Sequence, residues 1–302
     1  MADELNGVII VNKHKGVTSH DIVFKIRKLF GTKKVGHTGT LDPMAEGVLP
    51  VLIGRAAKAA EYLTAEDKGY IAKIQLGITT DTEDTSGNIL TKCDTLPTKN
   101  EFFEACKGFV GEIMQIPPMY SALKVNGKKL CDLARDGIEI EREARKIHIS
   151  SIIPEEVDEK EGIYSLKVDC SKGTYIRTLC ADIGARLGCG GAMSELLRTK
   201  SGNFTLDESY TIAQLEEMSY EERCELTIPT EELFSDCERV ILPDFYARLA
   251  RSGCEIYQSK IKTSHPVDKF VTMWDKNGFF ALGQVRQYES GTAIKAIKLF
   301  VL

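Results

Sequence analysis

The spacing of hydrophobic and polar residues predicts several strands along the chain. Apolar and polar side chains alternate with a period of two over residues 69–77 and again over residues 163–173, as expected for strands with one buried face. Shorter apolar runs, rich in β-branched residues and bounded by turn residues, also predict strands. The predicted strands are 6–13, 48–54, 69–77, 163–173 and two further strands within 269–287 around a turn at 275–278.

Other stretches repeat their apolar residues with helical spacing. Residues 18–30 begin with Thr18 or Ser19 as a candidate N-cap and end before Gly31, a typical helix C-terminus. A strand-to-helix junction near residue 174 places Tyr175 and Arg177 where side chains project into clefts. The predicted helices are 18–30, 55–63, 98–109, 174–188, an acidic helical stretch at 211–237 and one helix within 241–256. Because the order is not a regular βαβ alternation, we predict an α+β fold.

Length and composition are those of a soluble globular protein. The chain has 302 residues, of which 43% are hydrophobic and 27% charged. This length suggests one large domain, or a large and a small one. The N-terminus has no basic region followed by a long apolar run, and no apolar run reaches the length of a membrane span. We therefore expect a cytoplasmic protein with no membrane partner.

The nine cysteines do not form a C-x-x-C pair, and an odd number cannot all pair within one chain. Scattered reduced thiols are typical of cytosolic proteins. The five histidines show no metal-ligand spacing. The sequence therefore predicts no metal site.

Charge is unevenly distributed along the chain. The net charge is −5 overall, which argues weakly against a nucleic-acid partner. Residues 1–60 nevertheless carry a net +4 and residues 239–302 a net +5, whereas residues 207–238 carry −10. Basic segments around an acidic one are compatible with a phosphate-binding face, although charge alone favours an ordinary solvated surface.

Sequence motifs for phosphate binding and for a serine nucleophile are incomplete or absent. "GTKKVGH" at 31–37 has two glycines at Walker spacing but lacks the Lys-Ser/Thr pair. "GCGG" at 188–191 follows a predicted helix, so helix capping explains it better than phosphate binding. No G-x-S-x-G elbow is present, and a Ser–His–Asp triad of separated residues stays open.

The loop "GHTGTLDPMAEG" at 36–47 concentrates turn chemistry around one carboxylate. Asp42 precedes a proline, which restricts it to extended backbone conformations. Glycines on both sides allow tight turns, and the loop also contains His37. An isolated Asp-Pro is usually a simple turn, but these surroundings favour a functional carboxylate.

Several segments together resemble the TruB family of pseudouridine synthases, which act on the T-loop uridine of transfer RNA. The segments that carry the resemblance are "NKHKGVTSHDIV", "GHTGTLDPMAEGVLPVLIG", "GYIAKIQLGITTDTEDTSG", "PPMYSALKVNGKKLCDLAR", "CSKGTYIRTLCADIGARLGCGG" and "ELLRTKSGNF". They extend from about residue 6 to residue 204, and the basic tail resembles a PUA-like RNA-binding domain more loosely. The resemblance implies a mixed, largely antiparallel sheet core with flanking helices in a catalytic domain, 1–238, and a small β-rich PUA-like domain, 239–302.

The resemblance also implies a reaction and its residues. Uridine 55 of the transfer-RNA T-loop would be isomerised to pseudouridine without cofactor or metal, with Asp42 as nucleophile. Arg177 would hold the carboxylate with a two-pronged guanidinium, and Tyr70 would stack on the base and move a proton. A monomer that binds the T-arm and loop is expected. The residues that would contact the uridine or its RNA loop are Lys13, His37, Tyr70, Tyr175 and Leu196.

The chain departs from the family pattern at His14, Cys131 and Leu197, which puts some RNA contacts in doubt but not the catalytic residues. Two alternatives stay open. One is a non-catalytic RNA-binding or transfer-RNA-folding protein on the same scaffold, which would not need Asp42. The other is an Asp-nucleophile hydrolase of small molecules, which would leave the basic tail unexplained.

Overall fold

The computed structural model describes residues 5–63, 67–125 and 127–301. The predicted domains begin at residue 1 and end at residue 302, so residues 1–4 of the first domain and residue 302 of the second lie outside the described residues. The strands of the described residues are β1 (Gly7–Lys13), β2 (Val35–His37), β3 (Glu46–Ile53), β4 (Lys68–Leu76), β5 (Ile78–Thr80), β6 (Ile89–Lys92), β7 (Gly111–Gln115), β8 (Lys124–Val125), β9 (Lys128–Lys129), β10 (Arg145–Asp158), β11 (Ile163–Cys170), β12 (Gly191–Ser201), β13 (Phe204–Thr205), β14 (Ile228–Pro229), β15 (Glu238–Ile241), β16 (Glu255–Tyr257), β17 (Phe270–Asp275), β18 (Gly278–Tyr288) and β19 (Gly291–Leu299). The α-helices are α1 (Ser19–Leu29), α2 (Ala60–Leu63), α3 (Lys99–Lys107), α4 (Leu130–Arg135), α5 (Ile176–Arg186), α6 (Ile212–Glu217), α7 (Tyr220–Glu225), α8 (Asp244–Arg251) and α9 (Gln258–Ile261).

A ten-stranded sheet forms the body of the molecule. Its main path runs β14-β1-β3-β12-β4-β11-β10-β7, with β2 beside β3 and β13 beside β12. Neighbours are antiparallel except for β3 and β12, which run parallel over a short segment. Apolar residues of one face pack against α1, α3, α5 and α6 to form the main core. The α+β fold class and the mostly antiparallel sheet are thus confirmed.

Strand register brings the predicted site together. In β4, Tyr70 lies opposite Val168 of β11 on one side and Arg198 of β12 on the other. Where β12 runs parallel to β3, Arg198 lies opposite Gly47. The loop that contains Asp42 enters β3 just before Gly47, so this pairing places the loop beside β12 and, through it, beside β4.

A second sheet of five strands, ordered β15-β17-β18-β19-β16, contains most of the basic tail. It does not stand apart from the first sheet. Phe279, Leu282 and Phe300 share a buried apolar cluster with Val8 and Leu52 of the ten-stranded sheet. The two sheets therefore have a common hydrophobic core as well as cores of their own.

Several predicted elements are shorter or different in the structure. The helix expected at 55–63 is a 3-10 segment, Gly54–Ala59, followed by α2. The acidic stretch 211–237 contains two short helices and then β14, which pairs with β1 at the sheet edge. The helix predicted within 241–256 is present as α8 but covers only part of that range, because β15 ends at Ile241 and β16 begins at Glu255. Pro243 separates β15 from α8 and provides its N-cap.

The cysteines are all free thiols, and four of them are buried. Among the described residues, no cluster of His, Cys, Asp or Glu has the geometry to hold a metal ion. In the same part of the chain, every helix is too short or too polar to cross a membrane.

Candidate active site

The Asp42 loop is fixed from several sides by hydrogen bonds. Ser19, buried at the start of α1, both accepts from the Leu41 amide at 2.9 Å and donates to the Leu41 carbonyl at 3.1 Å. The Pro43 carbonyl accepts from the Gly16 amide at 2.8 Å, and the Asp42 carbonyl accepts from the Ala45 amide at 3.0 Å. These contacts hold Asp42 rigidly between α1 and β3, which accounts for the turn chemistry around this carboxylate.

Arg177 is the cation that faces Asp42. It is the second residue of α5, its side chain is only 6% exposed, and its Nε lies 3.0 Å from Asp42 Oδ2. Nη1 donates to the Thr82 carbonyl at 3.1 Å and Nη2 to the Tyr120 carbonyl at 2.6 Å. The ion pair is present as predicted, but the two-pronged contact is not, because both terminal nitrogens are directed at main-chain carbonyls.

A second carboxylate lies behind Arg177. Asp84 is buried, and its Oδ2 lies 3.6 Å from Arg177 Nη1. Its other oxygen accepts from the Thr82 hydroxyl at 2.8 Å and from the Ser86 amide at 3.0 Å. Arg177 therefore connects Asp42 to a buried Asp84. Sequence reasoning missed Asp84 because a Thr/Asp/Ser-rich segment is also what an exposed turn looks like.

Burial raises the pKa of the Asp42 carboxyl above its ordinary range, the Arg177 guanidinium opposes that rise, and the Asp84 carboxylate adds to it. Burial and the Arg177 cation thus act on this carboxyl in opposite directions, and the effect of burial is the larger. About a third of the side chain (37%) remains exposed to the groove, so the carboxylate can be reached by a ligand.

A cavity of about 450 Å³ opens directly in front of Asp42. Its wall includes Tyr70, Tyr175, Arg177 and Leu196, so four of the predicted site residues converge with Asp42 on one space. Tyr70 is buried on β4, and burial raises the pKa of its hydroxyl. The cavity continues into a larger groove of about 860 Å³ that shares Asp42 and Arg177 with it.

Tyr175 is held at the N-terminus of α5 by Gln115, a buried residue of β7. The Gln115 side chain accepts from the Tyr175 amide at 2.8 Å and donates to the Tyr175 carbonyl at 3.1 Å. This reciprocal pair fixes the junction that the sequence predicted to project side chains into a cleft. Gln115 gave no signal in the sequence.

His37 and Lys13 lie further from the cavity. His37 is at the end of β2, lines the larger groove and accepts from the Gly39 amide through Nδ1 at 3.3 Å. Lys13 is fully buried beneath the loop, where Nζ donates to the carbonyls of His14 and Val17. Burial lowers the pKa of Lys13 to about 8. Its position supports the loop, and a direct contact with substrate stays a prediction.

Two family models match consecutive parts of this chain. The model of the N-terminal domain of TruB family pseudouridylate synthases matches residues 27–176. The model of the C-terminal domain of tRNA pseudouridylate synthase B matches residues 177–243, which covers α5 to β15 and so ends after the first strand of the second sheet.

Individual relatives and a solved structure are also similar to this chain. The tRNA pseudouridine synthase B of Clostridium tetani is 42% identical over 98% of this chain and 100% of that protein. The tRNA pseudouridine synthase B of Bacillus pumilus is 51% identical over 72% of each chain. In the crystal structure of a Cbf5-Nop10-Gar1 complex, one chain superposes with a TM-score of 0.73 at 26% identity, covering 98% of this chain and 85% of that one. The chain belongs to the TruB family of pseudouridylate synthases.

Proposed function

We propose that this protein converts a uridine of transfer RNA to pseudouridine, and that the target is uridine 55 in the T-loop. The observation that carries the proposal is the Asp42–Arg177 ion pair at the edge of a cavity walled by Tyr70, Tyr175 and Leu196. The names of relatives that align over nearly the whole chain support it.

Asp42 is the nucleophile in this proposal. The reaction breaks the bond between uracil N1 and the ribose, joins C5 to the ribose instead, and moves one proton from C5 to N1 overall. Asp42 must be ionised to act, so the pKa rise caused by burial limits activity on the acidic side. Arg177 favours the ionised form and fixes the direction of the carboxylate.

The enclosed cavity requires the uridine to leave the RNA stack. Extruding a base costs a few kcal/mol, which stacking and burial in the pocket partly recover. Tyr70 offers an aromatic face and Leu196 an apolar surface at the cavity wall. Tyr175 also lines the cavity, and its backbone is held in place by Gln115.

The larger groove would accommodate the rest of the T-loop. Lys15, Lys129 and Arg135 lie along it together with His37 and offer cations to RNA phosphates. We further propose that residues 1–238 form the catalytic domain and residues 239–302 a PUA-like RNA-binding domain. The second sheet begins at Glu238, close to that boundary. We also propose that the protein acts as a cytoplasmic monomer on the T-arm.

The test is to incubate the purified protein with an unmodified transfer-RNA transcript and map pseudouridine at nucleotide resolution. We expect modification of uridine 55 alone. A matched transcript with cytidine at that position should stay unmodified. Binding of both transcripts without pseudouridine in either would support the non-catalytic alternative instead.

A further inference from the structure

Arg198, in β12, is an arginine enclosed in protein beside the candidate active site. Its side chain is 1% exposed, and Nε donates to the Val48 carbonyl at 2.7 Å while Nη2 donates to the Gly39 carbonyl at 3.3 Å. No described carboxylate is among its partners. A buried cation with only neutral partners is costly, so its retention calls for a specific role.

The structure places Arg198 against Tyr70. The two residues lie directly opposite each other in the register of β4 and β12, and both line the cavity in front of Asp42. Residues directly opposite in neighbouring strands have side chains on the same face of the sheet. Arginine has only donors. In a hydrogen bond between the two side chains, the Tyr70 oxygen must therefore be the acceptor, and the proton of its hydroxyl then points away from Arg198.

The same guanidinium reaches the Asp42 loop. The Gly39 carbonyl that accepts from Nη2 lies three residues before Asp42, and the Val48 carbonyl belongs to the buried part of β3. Arg198 thus lies beside Tyr70 and is bonded to the backbone on both sides of Asp42.

We propose that Arg198 is a positioning residue that holds the Tyr70 hydroxyl as an acceptor and so presents the Tyr70 proton to the base bound beside Asp42. This inference rests on the proposed function, because it assigns the orientation of a group in the same site. The guanidinium also favours the ionised form of Tyr70 and partly opposes the pKa rise that burial causes. Tyr70 is accordingly better able to exchange a proton than a buried tyrosine without a cation.

Arg198 could instead have a purely structural role, in which it only stabilises the contact between β12 and β3. A double-mutant comparison distinguishes this structural role from positioning of the Tyr70 hydroxyl. Arg198→Lys is made in the natural protein and in Tyr70→Phe, and single-turnover pseudouridine formation is measured for all four. If Arg198 acts through the hydroxyl, the lysine change slows the natural protein about tenfold but slows Tyr70→Phe less than about threefold. The proposal would be overturned if Arg198→Lys slowed the reaction by the same factor in the natural protein and in Tyr70→Phe, or if it did not slow the natural protein at all.

The matched control is Arg223→Lys. Arg223 also donates to two main-chain carbonyls, those of Leu215 and Met218, but it lies outside both cavities. This variant should leave the rate within about twofold of the natural protein. Circular dichroism checks that each variant is folded.

A second measurement does not depend on catalysis. Arg198→Gln keeps a neutral donor and removes the charge, and tyrosinate absorbance is followed on alkaline titration, with Tyr70→Phe identifying the Tyr70 signal. The proposal expects Tyr70 to ionise at higher pH in Arg198→Gln, and an unchanged titration would overturn it. If Asp42→Asn were found to be active, the proposed nucleophile would fail, but this titration would still report on the Arg198–Tyr70 contact.

Discussion

At the residue scale, one arginine connects three parts of the candidate site. Arg177 contacts the Asp42 carboxylate, the Thr82 carbonyl beside Asp84 and the Tyr120 carbonyl. Each of these groups lies on a different segment of the chain. The guanidinium therefore orients the Asp42 carboxylate and also joins the loops that form the groove.

We expect Arg177→Lys to lower turnover about 100-fold or more, because an ammonium cannot serve all three acceptors at once and small displacements of a reacting group are costly. Single-turnover kinetics with unmodified transfer RNA measure this. The affinity for transfer RNA should change little. Near-normal turnover of the lysine variant would mean that charge alone, without the planar geometry, suffices at this position.

Lys13 gives a pH-dependent stability prediction. Its pKa is about 8 in the folded protein, below its ordinary value of 10.5. Between these values the unfolded chain binds the Lys13 proton and the folded protein releases it, so the contribution of Lys13 to the free energy of unfolding rises with pH. Below about pH 8 both states bind the proton and this contribution is constant.

Urea unfolding of the natural protein and of Lys13→Met, at about pH 7 and about pH 9.5, tests this. The natural protein should gain stability relative to the variant at the higher pH. Lys33→Met, which changes an exposed lysine, should show no such gain. If the two variants follow the same pH dependence, Lys13 does not have the lowered pKa.

Single residues also show the limit of prediction from sequence. Asp42, Tyr70 and Arg177 stand in long, recognisable segments, and the structure brings them together. Arg198 and Asp84 are charged residues in polar surroundings of the sequence, where charged residues are usually exposed. Arg198 is buried because β12 pairs with β4, and Asp84 is buried in the loop that contacts Arg177. Both are contacts between distant parts of the chain, which the neighbouring residues in the sequence do not indicate.

At the element scale, prediction succeeds best for the alternating segments. Strand β4 is predicted at 69–77 and found at Lys68–Leu76, and β11 is predicted at 163–173 and ends at Cys170. Strand β12 is not predicted, although it lies at the centre of the sheet. Its sequence mixes Glu195, Arg198 and Lys200 with apolar residues, so it lacks a clear period of two, and a bulge between Arg198 and Lys200 interrupts it further.

The short parallel pairing of β3 and β12 depends on Gly47. This residue has a φ of +105°, and a Cβ there would lie 2.2 Å from the Arg198 carbonyl oxygen. We expect Gly47→Ala to lower the free energy of unfolding by about 2–4 kcal/mol, through a backbone clash as well as strain. Chemical denaturation measures the loss.

Gly16→Ala is the matched control. Gly16 also has a positive φ, of +91°, but nothing lies within 4 Å of its Cβ position. Strain alone should cost this variant about 1 kcal/mol. Equal losses in the two alanine variants would show that the close approach of Gly47 to β12 contributes nothing.

At the scale of the whole molecule, the two sheets are joined by a common core. Phe279 and Phe300 pack with Val8 and Leu52, so removing the basic tail would expose apolar side chains of the ten-stranded sheet. A truncation would therefore lose stability whether or not the tail binds RNA. Surface substitutions test the proposed RNA-binding role without this complication.

Arg248, Lys260 and Lys262 are exposed on or beside the helices of the second sheet. Replacing all three with glutamine should weaken transfer-RNA binding and make its salt dependence shallower, by about 0.7–0.9 in log–log slope for each phosphate that the variant no longer neutralises. The rate of the bound complex should be unchanged. The same change at Lys92, Lys107 and Lys160, which lie outside both cavities, serves as the control. An unchanged affinity and slope in the first variant would argue against RNA binding by these helices.

The most direct measurement of the central claim is single-turnover pseudouridine formation by Asp42→Asn. The amide keeps the shape of the side chain and removes the charge that Arg177 faces at 3.0 Å. We predict that the variant binds unmodified transfer RNA with near-normal affinity, folds normally by circular dichroism and forms no measurable pseudouridine. A rate near that of the natural protein would contradict the assignment of Asp42 as the nucleophile.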